Sequence, residues 1–242
     1  MATLGSKGRV DIEMGNNGQL YPGMQENPQL RWAFIRKVYS ILCIQLLLTF
    51  AVSLTMFLIH PVREFMATAS GFYVLLAFIV VTFILLILMH TFSQRHPWNY
   101  VLLLLFTLTL SFMVGAASTQ SKGEAVLLAA GLTLLVTVGL TLFTFVAAKR
   151  GCDFKFLWPF LFCSLLLLIA FGLIRIIFPM GKILQQVIGC FGALVFSGFI
   201  IYDTDNIIKR FSYDQFIDAA MCLFLDVVNL FLTLLGLGGG NR

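Results

Sequence analysis

The sequence predicts an all-α integral membrane protein, a bundle of seven transmembrane helices. Of its 242 residues, 60% are hydrophobic and only 11% are charged, and the mean hydropathy is +0.96. An average soluble domain is about 45–50% apolar and about 25% charged, so a soluble globule of this size could not hide so much apolar surface. The net charge of +5 therefore bears on anionic lipid headgroups and topology rather than on nucleic acid.

The N-terminal residues 1–31 are predicted to form a disordered tail, followed by a transmembrane domain over residues 32–238. The tail is rich in Gly, Asn and Gln and holds too little apolar material to fold alone. Tyr21-Pro22 and Pro28 are expected to interrupt any helix there. No apolar core directly follows the first methionine, so this segment does not resemble a signal peptide.

Seven apolar segments follow, each long enough to cross a hydrocarbon core about 30 Å thick, which takes roughly 20 residues. Short breaks with proline, glycine or charged residues separate them, so neighbouring helices are expected to be antiparallel, with no room for a second domain. The predicted spans lie near residues 38–59, 72–92, 98–118, 125–147, 156–178, 183–207 and 214–236.

Small residues recur inside these spans and predict close helix packing, since a missing side chain lets two membrane helices approach. In the sixth span they precede Asp203, which predicts tight packing against the seventh span. The glycines in question are Gly115, Gly131 and Gly139 in the middle of the chain and Gly189, Gly192 and Gly198 in the sixth span.

Lysine and arginine are distributed unevenly between the two membrane faces. The tail and the loops on its side hold eleven of the sixteen, and the opposite face holds five. Positive charge in short loops marks the cytosolic face. The N-terminus is therefore predicted to be cytosolic, and seven spans place the short C-terminus on the other side.

Two acids stand inside the last two spans, Asp203 and Asp226. A carboxylate within a membrane helix is costly, and it usually faces the bundle interior and marks an ion or proton pathway. Asn206 and Asn229 each follow one of these acids by three residues and so share its helix face. The pattern predicts a polar seam between the two helices, although each acid could also hydrogen-bond locally as a neutral group.

Other acids near this region have simpler interpretations. Asp205 lies one helical turn before Lys209, which favours a local ion pair and makes it a supporting polar residue of the seam. Asp214 and Asp218 are predicted to open the seventh helix, where a negative charge interacts favourably with the helix dipole.

Whether Asp203 and Asp226 meet depends on the turn between their helices. Antiparallel helices are level about the midpoint of their hairpin, so the sixth helix must continue to about residue 212, with the turn near residues 213–216. Two carboxylates close together resist ionising at the same time and would share a proton near neutral pH. The protonated pair would hold the helices together, and the doubly charged pair would push them apart.

Carboxylate and amide oxygens together also suit a hard cation such as Ca²⁺. Asp203 and Asp226 are accordingly the candidate ligands for a transient Ca²⁺ ion on its way through the bundle. No cysteine and histidine cluster has metal-binding spacing, so no tightly bound cofactor is expected.

At these residues the chain resembles the transmembrane Bax inhibitor motif family. Ile201-Tyr202-Asp203-Thr204 and Leu223-Phe224-Leu225-Asp226-Val227-Val228-Asn229 are similar to its paired signatures. The segments 36–42 and 45–47, with Tyr21-Pro22, resemble its Lifeguard branch and a plant member in particular. One departure is that no Asp or Glu lies between Glu64 and Glu124, where some bacterial relatives place a pore-lining acid.

The resemblance implies a bundle wrapped around a central seventh helix. It also implies a pH-dependent calcium leak across an internal membrane, of the endoplasmic reticulum, Golgi or vacuole, and suppression of programmed cell death. By matching position, Asp203 and Asp226 would be the di-aspartyl pH sensor. The implied partners are the bilayer, calcium ions and unidentified cell-death proteins.

Three alternatives compete with a cation leak. A regulator acting only through protein contacts would use the acids structurally, and an Asp203→Asn, Asp226→Asn variant would then keep its protective effect. An intramembrane aspartyl protease matches Tyr202-Asp203, but it needs Gly-x-Gly before the second acid, where this chain has Leu223-Phe224-Leu225, and its Pro-Ala-Leu motif is missing. A seven-helix receptor is disfavoured by the cytosolic N-terminus.

Overall fold

The computed structural model describes residues 19–92, 97–178 and 181–238, and every regular element in them is a helix. Seven of the helices are long and apolar enough to cross a membrane, which confirms the predicted fold class. The elements are α1 Pro28–Leu58, α2 His60–Met66, α3 Ala69–Phe92, α4 Trp98–Thr119, α5 Gly123–Lys149, α6 Leu157–Ile177, α7 Lys182–Lys209 and α8 Phe216–Gly238.

Helix α1 begins about ten residues earlier than predicted. Pro28 lies in its first turn, and the Asn27 side chain accepts a hydrogen bond from the Gln29 N–H at 2.9 Å. The expectation that Pro28 interrupts a helix is therefore wrong, because the first turn has no carbonyl partner for its N–H groups and tolerates proline. Residues 28–31 belong to the helix rather than to a tail.

The segment before α1 also packs against the bundle. Leu20 and Met24 are buried, and Gly23 adopts a positive φ of 79° that turns the chain between them. In the described part of the predicted tail, residues 19–31, Leu20, Met24 and Arg31 are therefore packed against the bundle. Residues 1–18 and 239–242 lie outside the described residues.

The seventh span, α8, packs against α1, α4, α5 and α7. Its buried face holds Leu223, Phe224 and Val227, and α4 is the other strongly enclosed span. Helix α6 contacts α7, and α3 contacts α4. The carboxyl-bearing helix thus lies among several others, while the prediction that it forms the centre of the bundle stays a prediction.

The glycines of α7 pack against two different helices. A methyl group on Gly189 or Gly192 would come within 2.7 Å and 3.0 Å of Leu237 and Thr233 of α8, which confirms the predicted close packing of α7 on α8. A methyl group on Gly198 would instead meet Leu161 of α6.

In the middle of the chain, Gly115 packs tightly against α1, because a methyl group on it would lie 2.5 Å from the Met56 sulfur. Gly131 and Gly139 face open space, so the packing predicted for them is wrong. Glycine spacing alone does not tell which side of a helix meets a neighbour.

Candidate functional site: a carboxyl pair between α7 and α8

The connection between α7 and α8 covers residues 210–215 and is longer than the turn that was expected near residues 213–216. Helix α7 ends at Lys209, where the N–H groups of Arg210 and Phe211 both donate to the Asn206 carbonyl at 2.8 Å and 2.9 Å. Helix α8 begins at Phe216. The expected continuation of the helix to residue 212 is therefore wrong, and Asp203 and Asp226 differ in depth by about one helical turn, roughly 5–6 Å.

The two carboxyl groups nevertheless lie close enough to interact with each other. Side chains on an α-helix lean toward its N-terminus. Asp203 therefore leans away from the connecting turn, and Asp226 leans toward it. The two inclinations act in opposite directions along antiparallel helices and close the offset that the backbone leaves.

The surroundings of the pair are asymmetric. Asp226 is 7% exposed, and its Oδ2 has no hydrogen-bond partner among the described residues. Asp203 is half-buried and accepts a hydrogen bond from Asn206 Nδ2 at 3.3 Å. Asn206 therefore supports only the Asp203 side of the pair.

Of the two predicted supporting amides, the structure brings only Asn206 to the pair. The Asn229 side chain is half-buried, and in the part of the chain that the structure describes no hydrogen bond joins it to Asp226. The backbone carbonyl of Asn229 accepts a hydrogen bond from the Thr233 hydroxyl at 2.6 Å. A spacing of three residues places two side chains on one face but does not bring them into contact.

Asp205 belongs to a different cluster. It is fully buried, with Lys209 Nζ at 2.5 Å from its Oδ1 and Arg210 Nη1 at 3.2 Å from its Oδ2, so the predicted pairing with Lys209 is confirmed. The N–H of Phe154 donates to it at 3.3 Å, and Arg210 also pairs with Asp153. This cluster ties the α5–α6 loop to the end of α7.

The acids at the start of α8 are separated by the helix boundary. Asp218 lies in the first turn, where a negative charge interacts favourably with the helix dipole. Asp214 is exposed and lies in the connecting turn, two residues before the helix begins. The expectation that both open the helix therefore holds only for Asp218.

Where α7 turns into α8, Glu26, Arg31 and Tyr213 form a contact that was not predicted from the sequence. We call these three residues the N-terminal clamp. Arg31 is 2% exposed and donates to Glu26 Oε2 at 2.5 Å and to the Phe211 carbonyl at 2.6 Å. The Tyr213 hydroxyl donates to the same Glu26 oxygen at 2.8 Å. The clamp fastens the segment before α1 to the α7–α8 turn.

Electrostatics favour the charged form of Glu26 in this clamp. Partial burial acts to raise its pKa, but the hydrogen bonds from Tyr213 and Arg31 and the Arg31 charge outweigh burial and hold the pKa below the ordinary 4.5. The signal for the clamp in the sequence is weak, because Glu26 and Arg31 are close in the chain but Tyr213 is almost two hundred residues away.

The carboxyl pair offers a cation two acidic side chains and no closed cage. Among the described residues, no group of three or more His, Cys, Asp or Glu side chains is arranged to hold a metal ion. Resident Ca²⁺ sites use six to eight oxygen ligands. The pair supplies fewer oxygen ligands than such a site uses.

The sequence matches the family model described as inhibitor of apoptosis-promoting Bax1 over residues 31–242. Protein LIFEGUARD 4 of Arabidopsis thaliana is 48% identical over 229 residues, which cover 93% of each chain. The Golgi anti-apoptotic protein of vaccinia virus is 38% identical over 86% of this chain and 85% of its own. Bax inhibitor 1 of Schizosaccharomyces pombe is 36% identical over 87% and 77%, respectively.

Proposed function

The chain belongs to the family of inhibitors of apoptosis-promoting Bax1, and we propose that it restrains programmed cell death by conducting calcium across an internal membrane of a plant cell. In this proposal Asp203 and Asp226 gate the pathway according to pH. The observation that carries it is the contact of these two carboxyl groups, one from α7 and one from α8, inside a membrane bundle.

The gate follows from the charge of the pair. Two close carboxyl groups that share one proton hold each other through a hydrogen bond, whereas two carboxylates repel strongly where little water screens them. Loss of the shared proton would therefore separate α7 from α8 and expose two negative charges to a cation. We expect calcium flux to increase as the pH rises through the range in which this proton is lost.

Calcium suits the pair as a passing ion. Conduction requires a site that binds strongly enough to admit the ion and weakly enough to release it. Two carboxyl groups and the nearby Asn206 amide provide only part of a calcium coordination shell.

The cellular role is proposed from the relatives. Their names describe an anti-apoptotic protein, a Golgi location and inhibition of Bax, and none of those names is that of an enzyme. We accordingly propose a non-enzymatic regulator in the Golgi, endoplasmic reticulum or vacuole. A leak of stored calcium would link the membrane pathway to the decision between survival and death.

The first prediction concerns ion flux. The purified protein in liposomes with an internal calcium dye should show a flux that rises between pH 5 and pH 8. Asp203→Asn or Asp226→Asn should flatten this dependence, because an amide cannot lose the shared proton. Asp214→Asn is the matched control, since Asp214 is exposed and lies in the turn, and it should behave like the unaltered protein.

Two results would count against this function. Flux equal to that of empty liposomes at every pH, from protein shown to be folded, would overturn conduction and leave regulation through protein contacts. A pH dependence that survives in both aspartate variants would show conduction without gating by the pair.

A further inference from the structure

Apart from Ser53 of α1, four buried hydroxyl groups on three packed helices lack a hydrogen-bond partner of good geometry among the described residues. They belong to Tyr39 of α1, Thr137 and Thr141 of α5, and Thr204 of α7. Thr204 is completely buried, and Thr137 is 9% exposed. A buried polar group without a partner destabilises a protein, and more so in a membrane, where the surrounding lipid offers none.

Three of these hydroxyls converge on one place. The Tyr39 phenol lies close to the hydroxyls of both Thr141 and Thr204, yet none of the three oxygens forms a well-aligned bond with another. Thr137 lies one turn before Thr141 and extends the same polar face of α5. We call Tyr39, Thr141 and Thr204 the hydroxyl cluster.

Other threonines of the bundle show that this arrangement is not the default. Thr133 and Thr144 of α5 donate to the carbonyls of Ala129 and Leu140, one turn earlier, at 2.7 Å and 2.8 Å. This local bond satisfies a threonine hydroxyl within its own helix. Thr141 and Thr204 turn their hydroxyls away from that bond and toward Tyr39.

We propose that the hydroxyl cluster binds an ordered water molecule at the junction of α1, α5 and α7. A buried water typically makes two to four hydrogen bonds to polar groups that are otherwise unsatisfied, and three such groups converge here. A water both donates and accepts, so it matches hydroxyls of either orientation. The cluster itself carries no charge to balance a desolvated cation, which favours water as the occupant.

The site lies beside the carboxyl pair. Thr204 directly follows Asp203 in α7, and successive residues of a helix are about 100° apart around its axis. The cluster therefore occupies the face of α7 next to the one that carries the pair. A change in the cluster is therefore expected to alter the surroundings of Asp203 and with them the pH response of the gate; this last consequence rests on the proposed function.

Radiolytic hydroxyl labelling tests the site, because radicals generated from a bound water modify the side chains that touch it even when these are buried. We expect labelling of Tyr39 in the intact protein in nanodiscs, and a several-fold decrease in the Thr141→Val, Thr204→Val variant. Thr144→Val is the matched control on α5 and should leave the labelling unchanged. Thr141→Ser and Thr204→Ser retain the hydroxyl groups, so these variants should also retain the labelling of Tyr39.

Equal labelling of Tyr39 in the unaltered protein and in the folded double variant would overturn the water site.

Thermal unfolding provides a second test that does not depend on labelling. If the cluster is dry, Thr204→Val removes an unsatisfied hydroxyl and raises the unfolding temperature; if water bridges the cluster, the same change removes a partner of that water and lowers it. A rise would therefore overturn the proposal.

The liposome assay separates this inference from the proposed function. Tyr39→Phe should shift the pH at which calcium flux increases, whereas Thr144→Val should not. If the unaltered protein conducts no calcium, the proposed function fails, but the labelling and unfolding results still decide whether the hydroxyl cluster holds water.

Discussion

Asp203 and Asp205 are two residues apart in α7 and have opposite environments. Asp203 contacts another acid, whereas Asp205 is surrounded by the cations of Lys209 and Arg210. Residues two apart lie on nearly opposite sides of a helix. One turn of α7 therefore carries both an acid that faces another acid and an acid that is paired with two cations.

Asp205→Asn should destabilise the protein by about 3 kcal/mol, because removing one partner of a buried ion pair leaves the other charges uncompensated. Asp153→Asn is the control: its side chain is 56% exposed, and loss of such a surface pair should cost less than about 1 kcal/mol. Both values can be measured by denaturant unfolding in detergent. Equal destabilisation by the two changes would contradict the structural role given to Asp205.

The N-terminal clamp should open in acid. The folded-state pKa of Glu26 lies below the ordinary 4.5, so the clamp contributes stability that is fully present above that value and is lost as the pH falls through the lower folded value. A spin label on Gln25→Cys, an exposed neighbour, should therefore become mobile as the pH drops below about 4.5.

Adding Glu26→Gln should leave the same label mobile at neutral pH, because the neutral amide loses the ionic contact with Arg31. Glu64→Gln, on the opposite side of the first span, serves as the control and should leave the acid transition unchanged. A label that stays immobile throughout, in the folded Glu26→Gln protein, would show that Leu20 and Met24 hold the segment without the clamp.

Sequence reasoning found the residues whose roles follow from local spacing or from the cost of a charge in lipid. Asp203 and Asp226 stood out because acids are rare inside apolar spans, and Asp205 with Lys209 because they are one turn apart. The clamp joins residues far apart in the chain, and the hydroxyl cluster depends on which way a threonine side chain rotates. Neither property can be obtained from a single sequence.

The α7–α8 hairpin shows the same distinction at the level of the element. Seven spans were predictable from apolar length, and the pairing of the last two followed from their short connection. The residue at which α7 ends was not predictable. It depends on contacts of the last turn: Lys209 pairs with Asp205 within the helix, and Arg210 pairs with Asp153 of the α5–α6 loop. The lean of the two aspartates then compensates for the longer turn.

The packing of α7 on α8 can be tested at Gly192. Gly192→Leu should destabilise the protein by about 1–3 kcal/mol, since the new side chain would overlap Thr233 of α8 and Leu168 of α6. Gly131→Leu is the matched control on α5, where a side chain meets open space, and it should stabilise its helix by up to about 1 kcal/mol. Unfolding experiments that rank the two changes in the opposite order would exclude the described α7–α8 contact.

Across the whole molecule, the clamp and the Asp205 cluster lie at the same membrane face, where α7 turns into α8. The clamp holds that turn from the segment before α1, and the cluster holds it from the α5–α6 loop. The turn connects the two helices that carry Asp203 and Asp226. Movement of α7 against α8 would therefore deform contacts on this face as well as the close packing of the two helices at Gly189 and Gly192.

The charge distribution predicts that this face is cytosolic, and Cys152 can report it. Cys152 is exposed and lies in the α5–α6 loop beside Asp153. In sealed microsomes with the cytosolic face outward, an impermeant maleimide should label Cys152 without detergent, in a protein whose other four cysteines are replaced by serine. In that background, Lys122→Cys, Cys152→Ser should react only after permeabilisation, since one span, α5, separates the two positions. The reverse pattern would invert the topology, and the carboxyl pair would then respond to the pH of the compartment interior rather than to that of the cytosol.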